Sequence, residues 1–495
     1  MRDVSDFDRI ADRRWERGAL VHGHNGRGHT MASDTPIVTM SPRQLRPRSR
    51  DVAPPARCPG GTAHGYARRV RIQDRRLMLV AYLARIALLA LAASGLGLVE
   101  ARAASCDAAA LCPSTPCTIS GTHHFTSYCA LDFSGKDVSV DPSALLDALP
   151  AQSGTWLNIK ARNLTVQGVI HLPGGTLQLD VEQSLRTGQS PGIGLLSVTA
   201  DADRYVEGRV DIKAGDEVVL SGSEVYAASG AESGVWIVAR NVLIDSPVRT
   251  AGGRDEATWI VAEAEDSIRT TKKLLVNPSW YGEVQLVTSS GDVVVEGPIT
   301  KTGSMIGTIY LSAGGNLRIG APIAVNSADG TVDYGSQVNL TAGRDIIIDG
   351  DIRARTTGRG SPSYLYVEPG LATGSGNVTI TRTIDVRSPE AVGWAIDIRE
   401  ACNLRVSGKL LLSTAGGSDP DFGPAIELPY RESLDLTGAT LRAGSSGSVA
   451  IRCRCTDTNG DYVCDGGCAS PPTGLQRMHG VRRVDVFPTL LTPCR

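Results

Sequence analysis

The chain has 495 residues, with 50 Lys and Arg against 52 Asp and Glu and a formal net charge of −2. Hydrophobic residues make up 41% of it, aromatic residues 5% and charged residues 21%. A charge balance this even provides no overall basic surface, so we expect no nucleic-acid partner.

Residues 1–77 do not resemble a folded domain. They contain many Arg and no Lys, with scattered Gly, Pro and His and no apolar periodicity. Such a composition buries too little apolar surface to offset the entropy of ordering the chain. We interpret residues 1–77 as a disordered leader or as the product of a start codon placed too early, with Met78 as the alternative start.

Residues 78–103 have the pattern of a secretory signal peptide. A short basic region precedes the apolar run Ile86 to Val99, and Ala101 and Ala103 form an A-x-A cleavage site. The apolar run is shorter than the roughly 20 residues of a membrane-spanning helix. The pattern therefore predicts a secreted or outer cell-surface protein, or a periplasmic one, without a transmembrane segment in the mature chain.

The cysteines support export. Of the 11 Cys, only Cys58 precedes the cleavage site, and the other ten form two even groups near the ends of the mature chain. These ten are Cys106, Cys112, Cys117, Cys129, Cys402, Cys453, Cys455, Cys464, Cys468 and Cys494. An oxidising compartment and disulfides at both ends follow from this distribution, while the connectivity stays open.

A short phrase recurs through the middle of the chain. It consists of a small polar residue, an apolar pair two apart, a turn, and another apolar residue six positions after the first. The phrase begins at Asn163, Asn241, Asp292, Asn316, Asp345, Asn377 and Asn403, with weaker copies at Ser267 and Ser433. A second apolar pair often stands eight residues before its first apolar position, as in Ile309/Leu311, Val338/Leu340, Ile396/Ile398 and Ile426/Leu428. Each unit of 24 to 32 residues thus contains three short strands.

Strands this short, joined by one or two turn residues, favour a β-solenoid over a propeller, whose blades need four strands in about 40 residues. The fold class we predict is all-β: a right-handed parallel β-helix with disulfide-rich caps at both ends. The handedness is taken from precedent for such solenoids. We expect a Cys-rich N-terminal cap over 104–150, the β-helix over 151–450, and a Cys-rich C-terminal cap over 451–495.

Two phrases carry a family resemblance. Ser312-Ala-Gly-Gly-Asn-Leu-Arg-Ile319 and Thr341-Ala-Gly-Arg-Asp-Ile-Ile-Ile348 resemble the repeats of filamentous-haemagglutinin-type adhesins. The resemblance covers about residues 235–441. It implies the β-helix fold and, more weakly, an adhesive role. The N-terminal secretion domain of that family is not recognisable here.

Polar residues of the repeat have a structural and a functional interpretation. We interpret the recurring Asn and Asp as turn residues that form a hydrogen-bonded ladder when stacked, rather than as a binding row. Asp349, Asp351, Asp385 and Asp397 are outward acids that stacking brings close enough to pair, although such acids on a secreted protein are usually solvated. The polygalacturonase-like motifs Asp-Asp, Gly-His-Gly and Arg-x-Lys are missing from the mature chain, so the sequence assigns no catalytic residue.

The C-terminal segment carries the best chemical signal. Asp457, Asn459, Asp461 and Asp465 place oxygen ligands at intervals that suit a hard cation. The segment resembles a partial thrombospondin type 3 calcium repeat. It departs from an EF-hand loop because Cys468 replaces the bidentate Glu. Calcium is the cofactor we expect, and a disulfide-stapled acidic turn is the alternative.

The sequence favours a non-enzymatic secreted or cell-surface β-helix with a structural, adhesive or glycan-contacting role. Its partners would be extracellular polysaccharide or cell-surface components. The alternative is a β-helix polysaccharide lyase or glycoside hydrolase. An outward carboxylate cluster with a basic neighbour in one groove would favour the enzyme, and evenly distributed charge would favour the first hypothesis.

Overall fold

The computed structural model describes most of the chain after residue 105. The described residues are 106–125, 128–148, 154–188, 193–199, 206–252, 257–278, 280–303, 307–327, 335–357, 363–371, 374–388, 395–414, 426–443, 448–455, 464, 468, 470, 472–474, 483–489, 491 and 494. All of them belong to one compact unit, Gly97–Arg495. The predicted leader and the predicted signal peptide lie outside the described residues.

The described residues form an all-β parallel solenoid, which confirms the predicted architecture. A 22-stranded sheet covers two sides of each turn, and a 13-stranded sheet covers the third. We call these sides the first, second and third faces, in the order in which the chain passes through one turn.

Five strands continue from the first face onto the second: β3 (Cys129–Val140), β5 (Thr155–Val166), β13 (Ser233–Ile244), β15 (Thr258–Thr270) and β32 (Ile426–Asp435). The other first-face strands are β7 (Gly175–Val181), β10 (Gly208–Ala214), β17 (Gly282–Thr288), β20 (Gly307–Ala313), β23 (Ser336–Ala342), β26 (Tyr364–Glu368), β29 (Ile396–Ile398), β34 (Ser448–Arg454) and β35 (Arg483–Thr489).

The remaining second-face strands are β1 (Cys117–Ile119), β8 (Ser184–Thr187), β11 (Glu217–Leu220), β18 (Asp292–Val295), β21 (Leu317–Ile319), β24 (Ile346–Ile348), β27 (Val378–Ile380) and β30 (Ala401–Val406). The third face consists of β2 (Thr122–Phe125), β4 (Leu145–Ala148), β6 (Val169–Leu172), β9 (Leu195–Thr199), β12 (Val225–Ala228), β14 (Val248–Ala251), β16 (Leu274–Asn277), β19 (Ile299–Lys301), β22 (Ile323–Ser327), β25 (Ile352–Thr356), β28 (Thr383–Ser388), β31 (Lys409–Thr414) and β33 (Thr440–Arg442).

One four-residue helix, α1 (Ala108–Leu111), precedes the first strand of the described chain. The Asp107 carboxylate caps it by accepting a hydrogen bond from the Ala109 backbone N–H at 2.9 Å. In the part of the chain that the structure describes, no helix has the length and apolar character needed to cross a membrane.

Stacked apolar side chains fill the interior. Val284, Ile309, Val338, Leu365 and Ile396 are register partners on successive first-face strands, and each is fully buried. The apolar positions of the recurring phrase line the same interior. Because side chains alternate across a strand, every inward residue leaves its neighbour facing outward. The apolar positions that recur in the sequence are therefore the side chains that point into the interior in each turn.

Among the described residues, one charged side chain lies in the interior of the solenoid. Lys301, at the end of β19, is fully buried, and its Nζ lies 3.3 Å from both the Asn326 carbonyl and the Ser327 hydroxyl. Its stem fills the space beside Gly307, where an added Cβ would come within 2.4 Å of the Lys301 Cδ. Burial lowers the pKa of this ammonium to about 8.

Candidate functional site

Most outward Trp and Tyr side chains of the described strands belong to the first face. They stand at the outward positions of the first-face strands: Trp156, Trp236, Trp259, Tyr310, Tyr364 and Tyr366. Among the described strand residues of the second and third faces, Tyr226 is the only Trp or Tyr. Large amphipathic rings are thus concentrated on one side of the solenoid.

Neighbouring side chains hold these rings in place. The Trp259 ring lies against Gly234 on the adjacent strand, where an added Cβ would come within 2.1 Å of the ring. The Arg209 guanidinium lies over the Trp236 ring, 5.6 Å from its centroid. A glycine inside a strand commonly marks such a close approach.

The tyrosines of this face are fixed by hydrogen bonds. The Tyr364 hydroxyl donates to the Gln337 side chain at 2.6 Å. The Tyr366 hydroxyl donates to the Glu368 carboxylate at 2.7 Å. Burial is the main cause that raises the pKa of Tyr366 above its ordinary value, so this phenol stays a donor at neutral pH. The rings form a surface with fixed geometry.

An open groove of about 410 Å³ lies where the first face turns toward the second near β26. Its lining includes Tyr366, Glu368, Leu371, Arg399, Glu400 and Arg431. The Arg431 guanidinium donates to the Gly374 carbonyl at 2.7 Å and contacts the Glu400 carboxylate. Leu371 leaves 57% of its surface exposed. The groove therefore combines apolar surface, an aromatic ring, carboxylates and guanidinium groups.

Next to the groove, two carboxylates stand on adjacent strands in register. Asp397 of β29 is the direct partner of Glu427 of β32 on one side and of Tyr366 of β26 on the other. Asp397 and Glu427 are only 6% and 7% exposed. Their in-register positions place the two carboxylates side by side on one face.

Two arginines accompany these carboxylates. A terminal nitrogen of Arg399 lies 2.9 Å from Oδ2 of Asp397, and Nε of Arg452 lies 2.5 Å from Oε1 of Glu427. Arg399 also lies over the Tyr366 ring, 5.6 Å from its centroid. The structure thus brings together an outward carboxylate pair and two basic neighbours close to one groove.

The environment of Asp397 disfavours its ionised form. Burial raises its pKa to about 6; the charge of Arg399 opposes this shift, whereas the charges of Glu427 and Glu368 add to it. A carboxyl group with this pKa carries a proton over part of the range between pH 5 and 7.

The other outward acids named from the sequence do not pair with one another. Asp349 accepts from the Thr381 hydroxyl at 2.9 Å, and Asp351 lies 3.6 Å from Arg353. Asp385 is held between Arg355 at 2.5 Å and Arg387 at 2.9 Å. Asp385 and Asp397 are also buried, so the expectation that these acids are solvated is wrong for both. Their arginine partners compensate their charge at the surface of the solenoid.

The recurring Asn and Asp residues form the expected ladder where the second-face strands begin. The Asn377 side-chain amide donates to Asp345 at 2.9 Å, and the Asn403 amide donates to Asn377 at 2.8 Å. Each carbonyl or carboxylate oxygen also accepts from the backbone N–H of the next turn, as Asp345 does from Asn377 at 2.8 Å. These contacts satisfy turn amides, which supports the structural interpretation of the row.

The ten cysteines near the two ends form five disulfides. The bonds are Cys106–Cys129, Cys112–Cys117, Cys402–Cys494, Cys453–Cys468 and Cys455–Cys464. The sequence left the disulfide connectivity open. Four of the bonds join cysteines that are close in sequence, whereas Cys402–Cys494 spans 92 residues.

The predicted calcium ligands Asp457, Asn459, Asp461 and Asp465 lie outside the described residues. Among the residues that are described, no group of three or more His, Cys, Asp or Glu side chains is arranged to hold a metal ion. Two disulfides bracket the segment: Cys455–Cys464 encloses three of the four predicted ligands, and Cys453–Cys468 encloses all four.

Sequence reasoning missed Glu427, although the signal was present. The apolar pairs Ile396/Ile398 and Ile426/Leu428 occupy the same position in the repeat, so the residues between them must stack. Tyr310, Asn339 and Tyr366 lie between the equivalent pairs of earlier turns. The middle residue of each successive pair therefore predicts a column of stacked side chains in which aromatic and amide groups are followed by the two carboxylates Asp397 and Glu427.

Comparison of the chain with known protein families, with curated protein sequences and with solved structures finds no match. The similarity to filamentous-haemagglutinin-type repeats and to thrombospondin type 3 repeats is thus carried by the quoted phrases alone.

Proposed function

We propose that this protein is an exported β-solenoid that binds a polysaccharide along its first face. The observation that carries the proposal is the concentration of outward Trp and Tyr side chains on that face, next to the groove at Tyr366 and Arg399. Five disulfides support an oxidising, extracellular destination.

Sugar rings present apolar C–H faces and polar edges. An aromatic ring offers a matching apolar face, and Tyr adds a polar end. Strand stacking repeats equivalent outward positions about every 4.8 Å. Rings that occupy several of these positions along one face, with amide, carboxylate and guanidinium groups between them, suit a long polymer better than a single small molecule.

The test is affinity electrophoresis in native gels that contain polygalacturonate, alginate, hyaluronan, xylan or mixed-linkage β-glucan. We expect at least one polysaccharide to retard the protein with its disulfides oxidised. Trp259→Ala and Tyr366→Ala should each weaken the affinity about fivefold, since losing one well-stacked ring costs about 1 kcal/mol.

Tyr226→Ala is the matched control. Tyr226 is a comparable outward ring under an arginine, with the Arg249 guanidinium 5.1 Å from its centroid, but it lies on the third face. Its removal should leave the retardation unchanged. Equal losses in all three variants, or no retardation by any of the five polysaccharides, would refute binding on the first face.

We also propose that calcium binds between Cys453 and Cys468. The proposal is supported by the spacing of the four oxygen ligands and by the two disulfides that bracket them. The adhesive role implied by the repeat resemblance stays a prediction that polysaccharide binding would make more specific.

A further inference from the structure

The central part of the first face carries acidic side chains and no basic ones. We call it the central first face; it consists of residues 233–239 of β13, residues 258–264 of β15, and the strands β17, β20, β23 and β26. Its charged residues are Glu263, Glu283 and Glu368, and none of its residues, all of them described, is Lys or Arg. Its formal charge is therefore negative.

The other two faces of the same turns do carry basic side chains. Arg269 and Arg318 stand at outward positions of the second face, and Arg249 and Arg353 stand at outward positions of the third. The whole chain has nearly equal numbers of basic and acidic residues. The lack of basic side chains is thus a property of the face that carries the rings, and it does not follow from the composition.

The groove beside β26 does contain guanidinium groups, but carboxylates compensate them. Arg399 lies 2.9 Å from Asp397, and Arg431 contacts Glu400. These two arginines are the only basic residues among the described residues that line the groove, and Glu368 adds a further carboxylate. An acidic sugar would therefore find no uncompensated cation in the groove.

Amide and hydroxyl groups stand between the rings. Gln285 and Asn339 are the register neighbours of Tyr310 on the two adjacent strands. Next to them, the Tyr281 hydroxyl donates to the Glu283 carboxylate at 3.0 Å. A side-chain amide both donates and accepts hydrogen bonds, as a sugar hydroxyl does. The polar groups of the central first face are therefore suited to hydroxyl groups.

We propose that the polysaccharide bound on the first face is an uncharged one. This inference rests on the proposed function and names the substrate class of the same surface. An uncharged chain stacks on the rings, and its hydroxyls form hydrogen bonds with the amides and donate to the carboxylates. An acidic chain has to bring its own carboxylates close to Glu263, Glu283 and Glu368, and like charges placed together exclude a partner.

The experiment compares uncharged and acidic polysaccharides in native affinity gels at low and at high ionic strength. We expect xylan or mixed-linkage β-glucan to retard the wild-type protein to the same extent at both, because salt screens interactions between charges. Polygalacturonate, alginate and hyaluronan should retard it at neither. Gln285→Ala should weaken the affinity for the uncharged polysaccharide about fivefold, the effect of losing one hydrogen bond.

A double variant reverses the charge of the surface. Gln285→Lys combined with Asn339→Lys places a positive charge on each side of Tyr310. We expect polygalacturonate to retard this variant at low ionic strength and not at high ionic strength. Its affinity for the uncharged polysaccharide should fall at least fivefold, because both amides are lost.

Leu275→Lys combined with Ala324→Lys is the matched control. Leu275 and Ala324 stand at outward positions of the third face and are the register neighbours of Thr300, so this variant gains the same charge at the same spacing. It should behave as the wild type does with every polysaccharide. Thermal unfolding monitored by circular dichroism shows that each variant is folded.

The outcomes separate this inference from the proposed function. Retardation of the wild type by an acidic polysaccharide, weakened by Trp259→Ala, overturns the inference and leaves the proposed function standing. The same response to polygalacturonate in both double-lysine variants, whether a gain or none, also overturns the inference. No retardation by any of the five polysaccharides overturns both.

Discussion

Two buried aspartates in neighbouring turns have opposite environments. Asp385 on the third face lies between Arg355 and Arg387, both in direct contact with its carboxylate. Asp397 on the first face contacts one guanidinium, that of Arg399, and has Glu427 as its register neighbour. Their exposed fractions are nearly equal, 5% and 6%.

The difference shows that burial alone does not decide the charge state of an acid. Burial raises the pKa of both carboxyl groups and is the largest single influence on each. At Asp385, hydrogen bonds from Arg387 and Arg355 outweigh burial, so its pKa lies below the ordinary value. At Asp397, the nearby carboxylates reinforce burial, so its pKa is raised to about 6. The surroundings of Asp385 therefore favour its anion, and those of Asp397 favour its protonated form.

The largest expected effect is on stability. Asp385→Ala leaves two guanidinium groups without their shared anion and should lower the free energy of unfolding by about 3 kcal/mol, near the lower end for breaking a buried pair. The low figure is appropriate because both arginines are partly exposed, at 35% and 52%. Urea unfolding measures the change.

Asp351→Ala is the control for that prediction. Asp351 contacts Arg353 at 3.6 Å and its side chain is 36% exposed, so its loss should cost at most about 1 kcal/mol. If both variants lower the free energy of unfolding by the same small amount, the contacts of Asp385 with Arg355 and Arg387 do not stabilise the third face.

The next effect is on pH dependence, with opposite signs at the two sites. The pKa of Asp397 rises on folding from an ordinary value of about 4 to about 6, so its contribution to stability is present at low pH and is lost as the pH rises between these values. Asp385 has a lowered pKa, so its contribution is present above about pH 4 and is lost as the pH falls through its folded pKa.

Unfolding of the wild type and of Asp397→Asn should therefore be compared between pH 4 and pH 7. We expect the wild type to lose about 2 kcal/mol relative to the variant across this interval. The difference in stability between the wild type and Asp385→Asn should stay constant above pH 5, where Asp385 is ionised whether the chain is folded or unfolded. Parallel curves for the wild type and Asp397→Asn would mean that the raised pKa of Asp397 is not a property of the folded protein.

The sequence predicts the inward-pointing side chains of this solenoid better than the outward-pointing ones. Burial requires apolar residues at fixed intervals, so pairs such as Ile309/Leu311 predict strands, period and interior, and the structure confirms all three. Cysteines grouped at the ends likewise predict disulfides there, but not that Cys402 pairs with Cys494.

Outward residues obey no such rule. Any polar or aromatic side chain is compatible with an exposed strand position, so a pattern gives no signal until the register of successive turns is known. The solenoid turns differ in length, and an error of one residue in register exchanges the side chains that point inward with those that point outward. The pairing of Asp397 with Glu427 and the position of Arg399 follow only from the stacked strands.

The smallest effect concerns the four oxygen-bearing residues Asp457, Asn459, Asp461 and Asp465, where the sequence predicts calcium. If calcium binds this segment in the folded protein, a concentration tenfold above its dissociation constant stabilises the protein by about 1.4 kcal/mol. We expect calcium to raise the temperature of unfolding by a few degrees and to slow proteolysis between Cys453 and Cys468, and EDTA to reverse both effects.

Asp457→Asn combined with Asp461→Asn should abolish the response to calcium, whereas Asp385→Asn should preserve it. Protection that persists in EDTA would instead favour an acidic turn held by its two disulfides, because disulfide constraint does not depend on a bound cation.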